Sequence, residues 1–315
     1  MTWKWLALVP AGTAIDFIGK RYWSLGLSIL LTVVSLVSIV VQGFNFGIDF
    51  KGGVLMDVKF VQAPDLSELR TKLSALNLGE VSLQEFGAPD DILIRVQTSE
   101  ESQQEQTRVI EAVKGALGEG VDFRRTEFVG PKVGAELIRA GFWAMLLALA
   151  GISVYVWFRF EWQFGVGALL STIHDIVTTV GLFSLFQLEF SLTTVAAVLT
   201  IAGYSVNDTV VIYDRIRENM RKYKKMPITD LINRSNNETL ARSVVTHLTT
   251  LLAVLALLFF GGEVIRGFSI AMVWGIFIGT YSSVFVAVPV LVYLNLRPET
   301  GAPPGGEPAA AEEAA

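Results

Sequence analysis

Asp208 is the residue around which this chain can do chemistry. It lies in the stretch LTIAGYSVNDTVVIYDRIREN, residues 199–219, which begins as the end of an apolar run and finishes as a basic amphipathic segment. Asp214, Arg215 and Arg217 mark the exit into water, the first of them six residues past Asp208. Six helical residues rise about 9 Å, so the carboxyl sits inside the apolar layer near one surface. An ionised, unpaired carboxylate at such depth costs on the order of 3 kcal/mol. It persists only when it faces a protein interior, finds a cation, or holds a proton. Burial disfavours the charged form and a nearby cation favours it, so a carboxyl balanced between the two can load and release a proton. The alternative is a permanently paired structural acid, but intramembrane acids are functional by default.

Arg242 is the candidate partner. It opens the apolar run 243–260, which starts on the same side, and its long side chain can reach inward. On position alone, an ordinary arginine snorkelling from a helix end fits equally well. His174-Asp175 forms a second polar pair in the middle of another run, flanked by Ser171, Thr172, Thr178 and Thr179. Two readings stand for it, a relay toward Asp208 and plain helix–helix hydrogen bonding. Tyr204, Asn207 and Thr209 share the stretch with Asp208 and are further relay candidates, Tyr204 one helical turn before it. His247, with Thr246, Thr249 and Thr250, reads as packing glue. Gly275 and Gly279 form a small-xxx-small pair for close helix packing.

Other chemistries are excluded or weak. There is no P-loop and no dinucleotide fingerprint, so energy is not drawn from a nucleotide bound here. Two intramembrane acids, Asp175 and Asp208, suggest an aspartyl protease dyad sharing one proton. The Gly-x-Gly-Asp pattern that flanks such dyads is missing, and the chain reads as no enzyme, with no cofactor and no metal motif.

The elements that must place Asp208 follow from the distribution of apolar residues. The chain has 315 residues, 52% hydrophobic, and the apolar ones gather in runs long enough to cross a bilayer, about 20 residues each. Residues 1–23 read as an interfacial segment, with Trp3, Trp5 and Lys20-Arg21. Residues 24–41 form the first apolar run. No small-x-small cleavage pattern follows it, so it is taken as a retained helix rather than a signal peptide. Five more runs cover 137–157, 163–186, 190–213, 243–260 and 268–294, with a basic loop at 214–242. Residues 298–315 are Pro, Gly, Ala and Glu and read as disordered. No cysteine is present, and no basic patch with interleaved aromatics points to nucleic acid.

Residues 45–132 are the one large water-soluble stretch. Alternation at 54–60, helical spacing of Leu66, Leu69, Leu73 and Leu76, alternation at 80–86 and 91–97, a helix over 101–117 and a last strand at 121–129 give the order strand, helix, strand, strand, helix, strand. That is the split βαβ, ferredoxin-like arrangement of an α+β domain. The net charge of −5 says little, but its distribution orients the chain. Lys4, Lys20, Arg21, Arg159, Arg297 and the cations of 214–242 fall on one side of a six-span alternation. The positive-inside rule makes that side cytoplasmic, with both termini, and puts domain 45–132 outside.

Five motifs then resemble the SecF family. They are Gly47-Ile48-Asp49-Phe50-Lys51-Gly52-Gly53, Val129-Gly130-Pro131-Lys132-Val133-Gly134, His174-Asp175, Gly203-Tyr204-Ser205-Val206-Asn207-Asp208-Thr209, and Asp214-Arg215-Ile216-Arg217-Glu218-Asn219. Asn236 to Arg242 and the Thr-rich run ending Phe260-Gly261-Gly262 fit the same family. The resemblance runs from Phe46 to about Leu294. It implies a subunit of the SecDF accessory complex of bacterial protein export, related to the resistance-nodulation-division transporters. It also implies a partner SecD, the SecYEG channel, translocating preproteins, an inner-membrane location and the proton-motive force as driver. On the same ground Asp208 is the proton-linked acid and Arg242 its cationic neighbour. Half of a pseudo-symmetric transporter with six spans and one outer domain is the implied architecture. A proton-coupled exporter half for lipids or small apolar molecules, and a passive scaffold for the channel, are the competing readings.

Overall fold

The computed structural model describes residues 9–10, 13–79, 81–97, 103–118, 120–129, 131–294 and 296. Trp3 and Trp5 of the expected interfacial segment, Gly130 and the tail 298–315 lie outside the described residues.

Among the described residues six helices are long and apolar enough to cross a membrane: Arg21–Gln42, Gly134–Arg159, Trp162–Leu185, Leu192–Lys222, Ile228–Phe260 and Arg266–Tyr293. The first is α1 (Arg21–Gln42), and the next four belong to α5 (Pro131–Arg159), α6 (Trp162–Leu185), α7 (Leu192–Lys222) and α8 (Ile228–Phe260). The sixth is α9 (Arg266–Ser282), continued through a π turn at Ser283–Ala287 into α10 (Val288–Tyr293). Helices α6, α7 and α9 form the interior, and α1, α5 and α8 stand outside them.

The burial pattern of α1 shows what surrounds the bundle. It buries Ser24, Ser28, Ser35 and Ser38 and exposes Ile29, Val33, Val37 and Val40. Burying hydroxyls while exposing branched aliphatics is unfavourable in water and favourable in lipid, where small residues let helices approach and hydroxyls bond across them. The Ser38 and Ser184 hydroxyls meet at 2.9 Å, and a Cβ on Gly181 would collide with Ser35. Likewise, a Cβ on Gly279 of α9 would stand 3.2 Å from Ser205 of α7, so the expected small-residue pair does set a close crossing.

The external domain lies between α1 and α5. It contains β2 (Gly53–Lys59), α3 (Leu66–Ser74), β3 (Val81–Phe86), β4 (Ala88–Val96), α4 (Gln103–Leu117) and β5 (Asp122–Val129). The sheet order is β3-β4-β2-β5 with every neighbouring pair antiparallel, which is the ferredoxin-like topology the alternation predicts. Val54, Met56, Val58, Ile92, Ile94 and Val96 point to one face and pack on Leu69, Leu73, Val109 and Val113 of the two helices. The opposite face, with Leu55, Leu93 and Arg95, turns to the bundle across a crevice.

Two expectations are corrected. Residues 214–242 are not a loop: α7 runs on to Lys222 and α8 begins at Ile228, leaving only 223–227 as the turn. Charge marks where a helix enters water, not where it ends, and these extensions bury Ile216, Asn219, Leu231, Ile232 and Ser235 between them. Asn233 and Asn237 of the extension also clamp the chain ahead of α1, accepting from the backbone N–H of Phe17, Ile18 and Ile15 at 2.9–3.0 Å. The sixth run is likewise not one regular helix. Pro289 has no N–H to donate one turn back, and the ladder loosens to a π turn just before it. The Tyr213 hydroxyl donates to the Ala287 carbonyl there at 3.1 Å.

Candidate functional site

Helix α7 carries a polar group on each of two sides. On one side Ser205 and Thr209 face α6 and α9. There the Asp175 carboxylate of α6 is fully buried, and its oxygens are occupied. Oδ2 accepts from the hydroxyls of Ser205 at 2.6 Å and Ser282 at 2.7 Å. Oδ1 lies 3.1 Å from Nδ1 of His174. Ser171 donates to Ser282 at 2.9 Å, and the Thr209 and Ser283 hydroxyls meet at 2.8 Å. Only Nε2 of His174, beside the Tyr281 ring, is buried without a partner in this group.

The other side of α7 faces α8, and there the accounting is different. Asp208 is buried, its Oδ1 accepts from the Ser243 hydroxyl at 2.7 Å, and its Oδ2 is buried with no partner among the described residues. One turn away, the Tyr204 ring stacks edge-on against His247 at 5.5 Å, and its hydroxyl reaches the Thr246 carbonyl at 3.4 Å. Nδ1 of His247 is also buried and unpartnered.

Arg242 does not pair with Asp208 in this structure. It neither opens its helix nor reaches inward: it stands midway along α8, exposed, and lines a cavity at the basic end. Its neighbour Ser243 is the residue that α8 turns toward Asp208. The relay expected from His174-Asp175 to Asp208 is not joined either, since no hydrogen bond links the two groups among the described residues. Asn207 is exposed on the third side of α7. Sequence reading missed Ser282 and Ser243 and took Ser205 only as part of a motif, although these three hydroxyls bond the two acids; a serine in an apolar run is too common to be singled out.

The motif after α1 builds the joint between bundle and domain. β1 (Asn45–Phe46) pairs in parallel with β6 (Glu189–Phe190), which precedes α7, and Phe44, Phe46, Phe50, Phe183 and Phe190 pack their rings around it. Asp49 lies in the short α2 (Ile48–Lys51) and its Oδ2 accepts from the N–H of Leu192 at 2.8 Å, fixing the start of α7. Lys51 is exposed. Gly52 and Gly53 turn the chain into β2 with φ of 75° and 128°, and a Cβ on Gly53 would stand 2.5 Å from the Val96 carbonyl oxygen. Arg95 of β4 bonds Glu189, tying the sheet to the same joint. Burial pushes the Glu189 carboxyl above its usual range, Arg95 opposes this, and Asp49 adds to it. At the far end Asp214 pairs with Arg159 at 3.0 Å, and Arg215 with Glu218 and Glu238 at 2.6 and 2.7 Å.

Six spans long and apolar enough to cross a membrane among the described residues, two carboxylates buried between them and one jointed α+β domain define a polytopic membrane protein of the transporter type. The family description "Protein export membrane protein SecD/SecF, C-terminal" matches residues 109–297, and "SecD/SecF GG Motif" matches 37–64. The protein translocase subunit SecF of Rickettsia rickettsii is 49% identical over 297 residues, covering 93% of this chain and 96% of the relative. SecF of Rickettsia typhi is 48% identical over 296 residues, with the same two shares. Among solved structures, the translocon-associated membrane protein SecDF of Thermus thermophilus matches with TM-score 0.82 at 37% identity over 91% of this chain. SecDF in a super-membrane-facing form matches with TM-score 0.68 at 35% identity over 92%. The chain spans 39% and 40% of those two SecDF chains. The chain belongs to the SecF family of protein translocase subunits.

Proposed function

We propose that this chain works as the SecF half of a SecDF complex, with SecD as the other half. In this reading it assists Sec-dependent export through the SecYEG channel by coupling proton flow to movement of external domains. The observation that carries the reading is the Asp208 carboxylate, buried, held by one serine, and open at Oδ2. That oxygen is free to take a proton or a cation, whereas a structural acid would have both oxygens occupied. Arg242 adjoins the serine that already touches Asp208, and in this reading its charge meets the open oxygen in another arrangement of α7 and α8.

The cycle has three parts. A proton from outside neutralises Asp208 and releases Arg242 to the basic end. The helices repack around α7, and the joint at Asp49, Glu189 and Arg95 passes the movement to the external domain. Loss of the proton on the cytoplasmic side, where the positive-inside rule puts the basic end, restores the pair. One charge falling through 100 mV supplies about 2.3 kcal/mol, which shifts an equilibrium by about fifty-fold. Two SecDF forms of nearly equal identity to this chain, with TM-scores of 0.82 and 0.68, support a fold with more than one arrangement.

The exposed stripe Ala196, Thr200, Gly203 and Asn207 on α7 supports a partner half there. A Cβ on Gly203 would meet nothing in this chain, so its smallness serves a surface outside it. The competing exporter of apolar molecules requires an apolar cleft under the external domain. The crevice of about 350 Å³ in that place mixes Leu55, Leu93, Leu192 and Val264 with Asp49, Arg125, Glu127 and Glu189, and those four charges weigh against an apolar ligand.

The test is proton flux in proteoliposomes holding both halves under an imposed gradient. Asp208→Asn and Arg242→Ala are expected to stop flux while the complex stays assembled. Flux unchanged in both would overturn the assignment.

A further inference from the structure

The cavity at the basic end has a charge balance that its own residues do not close. It holds about 940 Å³ between the end of α5, the C-terminal part of α7 and the middle of α8. Six cations and three acids line it. Each acid is already engaged, Asp214 by Arg159, and Glu218 and Glu238 by Arg215. Arg217, Arg221, Lys222 and Arg242 form no ion pair among the described residues. Four cations without an ion-pair partner, in a lining of net charge +3 (six cations less three acids), repel each other and create a site for an anion with several acceptor oxygens.

The surroundings select which anion. Arg159 sits between Trp157, Phe158 and Trp162, which are 67%, 91% and 54% exposed. Such aromatics mark the level of lipid headgroups. From Arg242 the exposed face of α8 continues as Val245, Leu248 and Leu252, an apolar track leading away from the charges. Phosphate-binding groups at headgroup level with an apolar track beside them fit one kind of molecule. We infer that this cavity binds the phosphodiester headgroup of an anionic phospholipid from the adjoining leaflet, with its acyl chains along α8. Basic pockets between spans are a general means of holding such headgroups.

Native mass spectrometry of the full chain, alone and assembled with its partner half, tests this by titrating phosphatidylglycerol against phosphatidylcholine. Phosphatidylglycerol is expected to be retained in preference. Each cation near a membrane surface contributes about five-fold, so Arg221→Gln with Lys222→Gln should weaken that retention by about 25-fold. Lys224→Gln with Lys225→Gln removes the same charge from residues outside the cavity lining and should leave retention unchanged. Equal loss in the two pairs would mean diffuse attraction and overturn the site. Displacement of the lipid by millimolar inorganic phosphate would reassign the cavity to a soluble anion. Loss of the preference when the partner half binds would reassign the cations to a protein contact. Either result overturns the lipid assignment, and preference surviving both conditions supports it.

Discussion

Asp175 and Asp208 are both buried aspartates in membrane-spanning helices, the first on α6 against α7 and the second on α7 itself. They differ in how their oxygens are used. Asp175 receives two serine hydroxyls on one oxygen and has His174 at the other. Asp208 receives one serine on one oxygen and, among the described residues, nothing on the other. A satisfied polar network is rigid, because any change of state leaves several groups unpaired at once. A half-satisfied carboxylate has no such penalty, since a proton or a cation completes it. Burial alone therefore does not distinguish a working acid from a structural one; the count of partners does.

The largest expected effects come from exchanging the two residues' fates. Asp208→Asn should abolish gradient-driven flux and leave thermal unfolding nearly unchanged, because the amide oxygen still accepts from Ser243. Asp175→Ala should do the reverse. It strips two hydroxyls of a charged acceptor and is expected to cost on the order of 3 kcal/mol, read as a lower unfolding temperature in detergent. Flux per folded molecule should persist. Flux lost in a fully stable Asp175→Ala protein would make Asp175 a carrier and break the contrast.

Much of this was legible in the sequence, for reasons that differ by region. The external domain follows local alternation and helical spacing, and its six elements came out in order with bounds within about three residues. That Asp208 is buried follows from its place in an apolar run ahead of Asp214. The partners of Asp208 do not, because Ser243 lies 35 positions away and its approach depends on how α8 crosses α7. The long extensions of α7 and α8 were hidden because their charges resemble a loop while their buried face is only a sparse stripe. The exposed position of Arg242 was hidden for the same reason: with α8 starting at Ile228, Arg242 is no longer at a helix end with only one way to turn.

The contrast extends to acids outside the membrane. Glu189 is a paired case, and Arg95→Ala converts it to an open one. Leaving a buried carboxylate uncompensated costs about 2 kcal/mol here, below the range for a fully buried pair because Glu189 keeps 30% exposure. Burial raises the Glu189 carboxyl above its ordinary value, so the folded form binds the proton more readily than the unfolded one. Stability is then greatest in acid and is lost as pH rises through that raised value. The Arg95→Ala deficit should accordingly be largest at neutral pH and fade on acidification. Hydrogen exchange at the β1–β6 pairing measures it, and a deficit independent of pH would show that Arg95 acts by packing alone.

The smallest effect should have the opposite sign. Asp57 lies on β2 with Oδ1 buried and unpartnered, near Asp91, whose own Oδ1 is also unpartnered while Arg124 holds its other oxygen at 3.1 Å. Burial raises the Asp57 carboxyl first and the Asp91 charge second, with Arg124 and Arg125 opposing and Asp122 adding. A carboxyl raised in the fold stabilises it fully below the unfolded value and loses that contribution as pH climbs through the folded one. At neutral pH the open carboxylate is therefore a cost. Asp57→Asn should remove it, stabilising the external domain by about 1 kcal/mol at neutral pH and flattening its dependence on acid. Slower exchange of the β2 amides in the intact protein is the readout. If Asp57→Asn instead loosens the domain, the open oxygen has a partner in the working complex, and an incomplete partner count outside the membrane marks a contact rather than a penalty.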